Sequence, residues 1–239
     1  MPIEKINTQL LGLPPAWMSR AVQRGGEMGN SEAIKKLLGE PIPQLVDPKN
    51  LTPHIAQFFR RNGTLERIRK KLALISRKKG GAFIPARGTI ASVDEDDNIY
   101  VGVDFLEQFG DDENLLAAIL AHEWGHMMSD RRKVDWSHVT IDELFAIRRD
   151  EEAEADAFSG RALFLLGYSP DSMIHLLETL RNQKKKRKFE SRKYHNTATR
   201  IEIFRQSYNA VKRALEVARR LFFSSGHTAP KMGQIIGEG

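Results

Sequence analysis

The chain has 239 residues, of which 41% are hydrophobic and 28% charged, as is typical of a globular protein that buries a sizeable core. The longest uncharged apolar run, 115 to 121, is too short to cross a bilayer. The first residues lack the pattern of a secretory signal, so a cytoplasmic location is expected. The chain has no cysteine, which excludes disulfides and thiolate metal sites. Any metal must therefore be bound by histidine and carboxylate side chains.

The first eighty residues predict short helices separated by proline and glycine, and we expect residues 1–80 to form an accessory region. Thr52 precedes Pro53 in the way that an N-cap precedes a proline in the first helical turn. The run LERIRKKLALIS then predicts a helix that ends near the sequence KKGG.

From Gly88 the pattern changes to one typical of strands. TIASV and IYVGV, joined by the acidic turn DEDDN, predict two short strands. After GDDENLL the helical spacing returns, and the acids at 111 to 113 suit the positive end of a helix. His122 and His126 share a face of this helix with the apolar residues before them. The histidines are therefore expected to point into the interior or a cleft.

A second long helix is predicted to begin at Thr140, which forms a capping box with Glu143, and to end at Gly167. Ser169 and Pro170 predict the start of the next helix, SPDSMIHLLETL.

The run TATRIEIFRQSYNAVKRALEVARRLFF predicts a long amphipathic helix after a basic stretch. Taken together, the elements predict an α+β fold that is mainly helical, with a small sheet before the histidine-bearing helix. The main domain is expected at 81–223, followed by a flexible tail at 224–239.

The sequence HEWGH places His122 and His126 four residues apart on one helical face, close enough for both imidazoles to bind one ion. Glu123 reaches the same cleft one position further round and fits the role of a general base. This pattern is typical of zinc metallopeptidases. The alternative is a buried histidine pair whose nitrogens bond to the backbone.

The sequence EEAEAD on the next helix offers a third ligand. Glu152 and Asp156 are four residues apart and share a face, while Ala153 and Ala155 are small enough for close helix approach. We predict Glu152 as the third ligand and Asp156 as the acceptor for the outer nitrogen of a ligand histidine. The alternative is a solvated acidic helix face.

HEWGH followed by EEAEAD resembles the gluzincin metallopeptidases, and most closely the family of the heat-shock protease HtpX and the type I CAAX prenyl endopeptidases. The family pattern is H-E-x-G-H, then E-x-E-A-D, then a histidine and an arginine before a long helix. Here Gly125 matches the glycine, Glu152 the zinc-binding glutamate and Asp156 the aspartate. YHNTATRI resembles the third block through His195 and Arg200.

This resemblance covers about residues 82 to 210 and implies a zincin-like core that binds one zinc ion per chain. It implies hydrolysis of peptide bonds by a water molecule that Glu123 deprotonates. It also implies that His195 donates to the oxyanion and that Arg200 braces this histidine or its loop. The alternative for His195 is a surface histidine beside a basic loop. The chain departs from the family pattern at Asn196, where proline is usual, and at Trp124, where an aliphatic residue is usual.

The resemblance further implies that an edge strand before the motif helix pairs with the substrate main chain. Tyr100, Val101 and Gly102 of NIYVGV are the predicted substrate-binding residues. The alternative is that this strand is only a core element. Many relatives span the membrane several times, whereas no span is predicted for this chain.

A basic run shortly before His195 predicts a preference for acidic substrates or an anionic surface. The run consists of Lys184, Lys185, Lys186, Arg187 and Lys188. It lacks interleaved aromatic residues, so nucleic acid is not expected as a partner. The alternative is a solvated surface.

Two other functions remain open from the sequence. One is a non-catalytic binding protein for an anionic partner, either nucleic acid or an acidic protein, with a structural metal site. Glu123 argues against a binding protein with a structural metal site, because such a site needs no carboxylate beside its ligands. A structural site also usually has a fourth protein ligand. The other is a metallopeptidase that acts on proteins bound to nucleic acid, for which binding would depend on salt.

Overall fold

The computed structural model describes residues 43–94, 96–128, 139–187, 192 and 194–224, without the side chains of 183–187 and 223–224. This part of the chain is mainly helical with a small mixed sheet, which confirms the predicted α+β class. The strands are β1 (Gln44–Leu45), β2 (Phe83–Arg87), β3 (Ala91–Val93) and β4 (Ile99–Gly102). The helices are α1 (Pro53–Ala56), α2 (Thr64–Ser76), α3 (Val103–Phe109), α4 (Glu113–Met128), α5 (Ile141–Leu166), α6 (Asp171–Arg187) and α7 (Thr197–Ser224).

The predicted caps set the starts of two helices. The Thr52 hydroxyl accepts a hydrogen bond from the Ile55 amide before α1, with Pro53 in the first turn. Thr140 and Glu143 form the predicted capping box of α5. Helix α5 ends at Gly167, whose φ of 77° is in the left-handed region that glycine adopts readily.

Helix α6 follows the predicted start but extends further than predicted. The Asp171 amide donates to the Ser169 hydroxyl, and the helix then continues to Arg187 instead of ending near residue 180. The reason is that lysine, arginine and glutamine are good helix formers. The side chains of the basic run 184–188 lie outside the described residues, so its predicted anionic partner stays a prediction.

The sheet has the strand order β1-β2-β4-β3. Strand β4 is antiparallel to β3, with Ala91 opposite Val101, which confirms the predicted pair of short strands. On its other side β4 is parallel to β2, which has Pro85 in its centre and was not predicted from the sequence.

This order contradicts the predicted edge position of strand 98–103. Tyr100 lies opposite a β2 residue on one side and a β3 residue on the other, and Val101 does the same. The Gly102 amide donates to the Ile90 carbonyl. The prediction that a substrate strand pairs with Tyr100, Val101 and Gly102 is therefore wrong, because β2 and β3 already occupy both sides of β4. Among the described strands, β3 forms this edge of the sheet, and it packs against α4.

One apolar core joins elements from both sides of residue 80. Leu65 and Leu72 of α2 belong to the same buried cluster as Leu116 and Leu120 of α4. The described part of the predicted accessory region is thus packed against the histidine-bearing helix. Residues 1–42 and 225–239 lie outside the described residues, and the division of the chain at 80 and 224 stays a prediction.

The prediction that the chain has no membrane span can be compared with the described helices only. None of them is both long and apolar enough to cross a bilayer.

Candidate metal centre

Small residues allow α4 and α5 to approach closely beside the motif histidines. A Cβ atom on Gly125 would lie 2.6 Å from the Cα of Ala155, so no side chain fits at that crossing. The buried Ser159 hydroxyl donates to the Ala118 carbonyl at 2.8 Å and links the same two helices. The crossing places the predicted ligands of the two helices opposite one another.

The three predicted ligands lie together. His122 and His126 of α4 and Glu152 of α5 each offer an atom within 4.8 Å of the others. The two Nε2 atoms are 3.3 Å apart. Glu152 Oε2 lies 3.3 Å from His122 Nε2, and its Oε1 lies 3.8 Å from His126 Nε2. This cluster, which we call the metal cluster, could hold one ion.

Asp156 contacts the outer side of His122, as predicted. Its Oδ1 lies 3.0 Å from His122 Nδ1. The Arg200 guanidinium donates to both oxygens of this carboxylate, at 2.7 and 2.9 Å, and stacks over the Tyr194 ring at 4.9 Å. Asp156 is completely buried. The pair fixes the side of His122 that faces away from the metal cluster.

The electrostatics of the buried groups favour a bound cation. Burial alone would raise the pKa of Glu152, but the imidazoles of His126 and His122 outweigh it and lower this pKa to about 2. Burial would likewise raise the pKa of Asp156, but the Arg200 guanidinium holds it well below its usual value. Both carboxylates are therefore ionised at neutral pH. Glu152 must be ionised to bind a metal ion, and the ionised Asp156 can hold the outer nitrogen of His122.

The two histidines differ in their electrostatic surroundings. Burial would lower the pKa of His122, but Asp156 and Glu152 outweigh it and raise this pKa to about 10. For His126 burial is the larger effect, and its pKa lies below the usual value despite the nearby Glu152 carboxylate. The carboxylates therefore outweigh burial at His122 but not at His126.

The metal cluster fits a zinc ion in chemistry and in spacing. Ligand atoms at about 2.0–2.1 Å from a tetrahedral zinc ion are roughly 3.3 Å from one another, which is close to the separations observed here. The buried Oε2 of Glu152 accepts no well-formed hydrogen bond from the described residues. A buried carboxylate oxygen without such a bond is destabilising, and a coordinated cation would satisfy it.

The predicted catalytic residues lie outside the metal cluster itself. Glu123 is half-buried on α4 next to His122. His195 is half-buried in the segment before α7, directly after Tyr194. The catalytic roles of Glu123 and His195 stay predictions. Arg200 hydrogen-bonds to Asp156, and among the described residues it makes no hydrogen bond to His195.

Sequence reasoning missed a partly buried ion pair near the cluster. Arg148 donates to the Glu151 carboxylate at 2.7 Å, and Glu151 is only 8% exposed. Both charges influence the pKa of His126, in opposite directions. The sequence signal for this pair was the spacing, because Arg148 lies three residues before Glu151 and the two side chains are neighbours on the helix.

No known protein-family model matches the chain, and neither a curated protein nor a solved structure is significantly similar to it. A functional conclusion must therefore come from the geometry and chemistry of the metal cluster.

Proposed function

We propose that this protein is a zinc-dependent endopeptidase that uses Glu123 as its general base. The observation that carries the proposal is the convergence of His122, His126 and Glu152 at zinc-ligand spacing, with Glu123 next to the first ligand. Two imidazoles and one carboxylate are a ligand set of catalytic zinc sites, in which a fourth position stays open for water or substrate.

The ligand count supports catalysis over a structural role for the metal. Within the described ranges the metal cluster contains three residues and no fourth protein ligand. A structural zinc site usually has four. A structural zinc site also needs no carboxylate next to its ligands, whereas Glu123 directly follows His122.

The buried charges around the metal cluster would keep it preorganised for chemistry. The Asp156 carboxylate lies 3.0 Å from the Nδ1 of His122 and would thereby keep the Nε2 of this ring directed toward Glu152. Arg200 holds Asp156 in turn, and Tyr194 packs on Arg200. Bound zinc would supply a Lewis acid that polarises the peptide carbonyl and lowers the pKa of a water molecule.

The chain's own residues would then move the protons and bind the substrate. Glu123 would take a proton from the attacking water and deliver it to the leaving amine. His195 is the candidate donor to the oxyanion. Its neighbour Tyr194 packs on Arg200, and Arg200 donates to Asp156 beside the metal cluster. The substrate main chain would pair with the sheet edge at Ala91 and Ser92 of β3, which packs against α4.

Metal analysis combined with casein turnover tests this proposal on the full chain. The wild type and Glu123→Gln should each bind one zinc ion, while only the wild type cleaves casein, because the amide cannot accept the proton. The expected loss in kcat is at least ~10²-fold. Glu152→Gln should lose zinc as well as activity.

Glu154→Gln on the exposed face of α5 is the matched control and should keep both zinc and activity. A wild type that binds no zinc would contradict the proposal. A wild type that binds zinc and cleaves neither casein nor a library of peptides would favour the non-catalytic binding protein instead.

A further inference from the structure

The face of α4 opposite the histidines contacts the last residue of α2 and the residues that follow it. Trp124, two positions after His122, is 1% exposed. Its indole N–H donates to the Ser76 hydroxyl at 2.9 Å. Its ring packs on Gly80 so closely that a Cβ atom there would lie 2.4 Å from the ring, and the φ of Gly80 is +67°. This contact therefore requires a glycine at residue 80.

A second contact ties the same short segment to the end of α4. The Lys78 ammonium donates to the Met127 carbonyl at 2.6 Å, and it also lies 3.0 Å from the Asp97 carboxylate in the turn before β4. Met127 is the penultimate residue of α4, and the last four carbonyls of a helix have no partner within it. A cation at this position also interacts favourably with the helix dipole.

Ser76 connects the two contacts. Its hydroxyl accepts from the Trp124 indole and from the Lys78 amide, and it donates to the Leu72 carbonyl of α2. Residues 76–80, which we call the 76–80 segment, therefore contact α4 at 124 and at 127. These two contacts lie on either side of His126 in the sequence.

The two ligand histidines are supported in different ways. His122 has Asp156 at its outer nitrogen. Among the described residues, His126 has no hydrogen-bond partner for its outer nitrogen, and it lies two residues before the end of α4. The position of the His126 ring is therefore set by the backbone of the last helical turn, and helix ends fray unless they are held.

We propose that Lys78 and Trp124 are positioning residues of the metal centre, through which the 76–80 segment fixes the last turn of α4 and with it His126. The inference rests on the proposed metal centre and extends it to residues that touch neither metal nor substrate. It assigns the α2 region a part in metal binding, because α2 leads directly into the 76–80 segment.

The experiment compares Lys78→Met with Lys71→Met in the full chain. Lys71 is the matched control, because it makes one hydrogen bond, to the Tyr168 hydroxyl at 2.9 Å, away from the last turn of α4. The measurements are the zinc Kd, by competition with a chromophoric chelator, and the visible spectrum of the Co²⁺-substituted protein. Thermal unfolding of the metal-free proteins is the measurement that checks whether both variants are folded.

Lys78→Met should weaken zinc affinity about 10- to 100-fold, as loss of groups that orient ligands does, and should change the Co²⁺ spectrum. Lys78→Arg keeps a cationic donor and should recover most of the affinity. Lys71→Met should bind zinc like the wild type. Trp124→Phe, which removes the indole N–H, should weaken binding less than Lys78→Met.

The outcomes separate the two proposals. If the wild type binds no zinc, the metal centre itself is contradicted. If the wild type binds zinc and folded Lys78→Met has the same Kd and the same Co²⁺ spectrum, the positioning role is overturned while the endopeptidase proposal stands. If Lys78→Met does not fold, Ser76→Ala decides the question, and unchanged zinc affinity in that variant overturns the positioning role.

Discussion

The two halves of α7 differ sharply in burial although they continue one apolar stripe. In the first half, Ile201 and Phe204 are 4% and 0% exposed. In the second half, Leu215 and Phe222 are 39% and 42% exposed. The spacing of apolar residues predicts a helix in both halves equally well. Burial thus depends on what lies opposite a helix, which its own sequence does not reveal.

The register between α5 and α7 explains the difference. The two helices run side by side in the same direction, with contacting residues 44 apart in the sequence. The contacts are Asp156 with Arg200, Gly160 with Phe204, and Phe164 with Tyr208. Because α5 ends at Leu166, α7 extends past its partner beyond about residue 210. Asp156, which lies beside His122, is in the part where both helices are present, and Glu152 lies one turn before it on α5.

The largest expected effect comes from Asp156→Ala, in the paired region. This change leaves the buried Arg200 guanidinium without its carboxylate and removes the support of His122. We expect a loss of about 3–5 kcal/mol in the free energy of unfolding, measured by urea denaturation. Asp104→Ala, which breaks an exposed ion pair with Arg87, is the control and should cost less than ~1 kcal/mol. Similar losses for both variants would contradict the difference in burial between the two ion pairs.

Phe204→Ala tests the buried half of α7 itself. Phe204 is fully buried, so its truncation leaves a cavity and should lower stability by about 3–5 kcal/mol. Thermal or chemical unfolding measures this loss. A loss below ~1 kcal/mol would mean that the first half of α7 does not pack as described.

Gly125→Ala tests the crossing of α4 and α5. Alanine is the better helix former by about 1 kcal/mol, but its Cβ would lie 2.6 Å from Ala155, and overpacking costs about 1–3 kcal/mol. We expect net destabilisation and weaker zinc binding, measured by thermal unfolding and chelator competition. Gly160→Ala at the α5–α7 contact should destabilise the protein without weakening zinc binding. A more stable Gly125→Ala variant would show that the helices are further apart.

The smallest effect is expected from Leu215→Ala in the second half of α7. The side chain is 39% exposed and alanine favours helices, so stability should change by no more than ~0.5 kcal/mol. The matched comparison is Phe204→Ala under the same unfolding conditions. A large loss at Leu215 would mean that this half of α7 is packed after all.

Local sequence signals predicted most element boundaries of the described fold. The caps at Thr52 and Thr140, the stop at Gly167 and the helix 64–76 were each encoded within a few residues. The same holds for the metal cluster, because i to i+4 spacing fixes which side chains share a helical face. The close approach of the two helices was predicted from Ala153 and Ala155, and the structure adds Gly125 as the residue that packs on Ala155.

Long-range pairings could not be predicted from local patterns. Strand β2 is short and contains Pro85, so nothing marked it as the neighbour of β4, and the open edge was assigned to the wrong strand. The contacts of Trp124 with Ser76 and of Lys78 with Met127 join residues 48 and 49 positions apart. These contacts carry no periodic signal, because each joins two residues that are far apart in the sequence and does not repeat along a helix or strand.

The most direct test of the metal centre is a crystal structure of the zinc-loaded protein, with anomalous data collected at the zinc absorption edge. We predict one anomalous peak, about 2.0–2.2 Å from the Nε2 atoms of His122 and His126 and from a carboxylate oxygen of Glu152. A peak at other residues, or no peak among these three at equimolar zinc, would contradict the account.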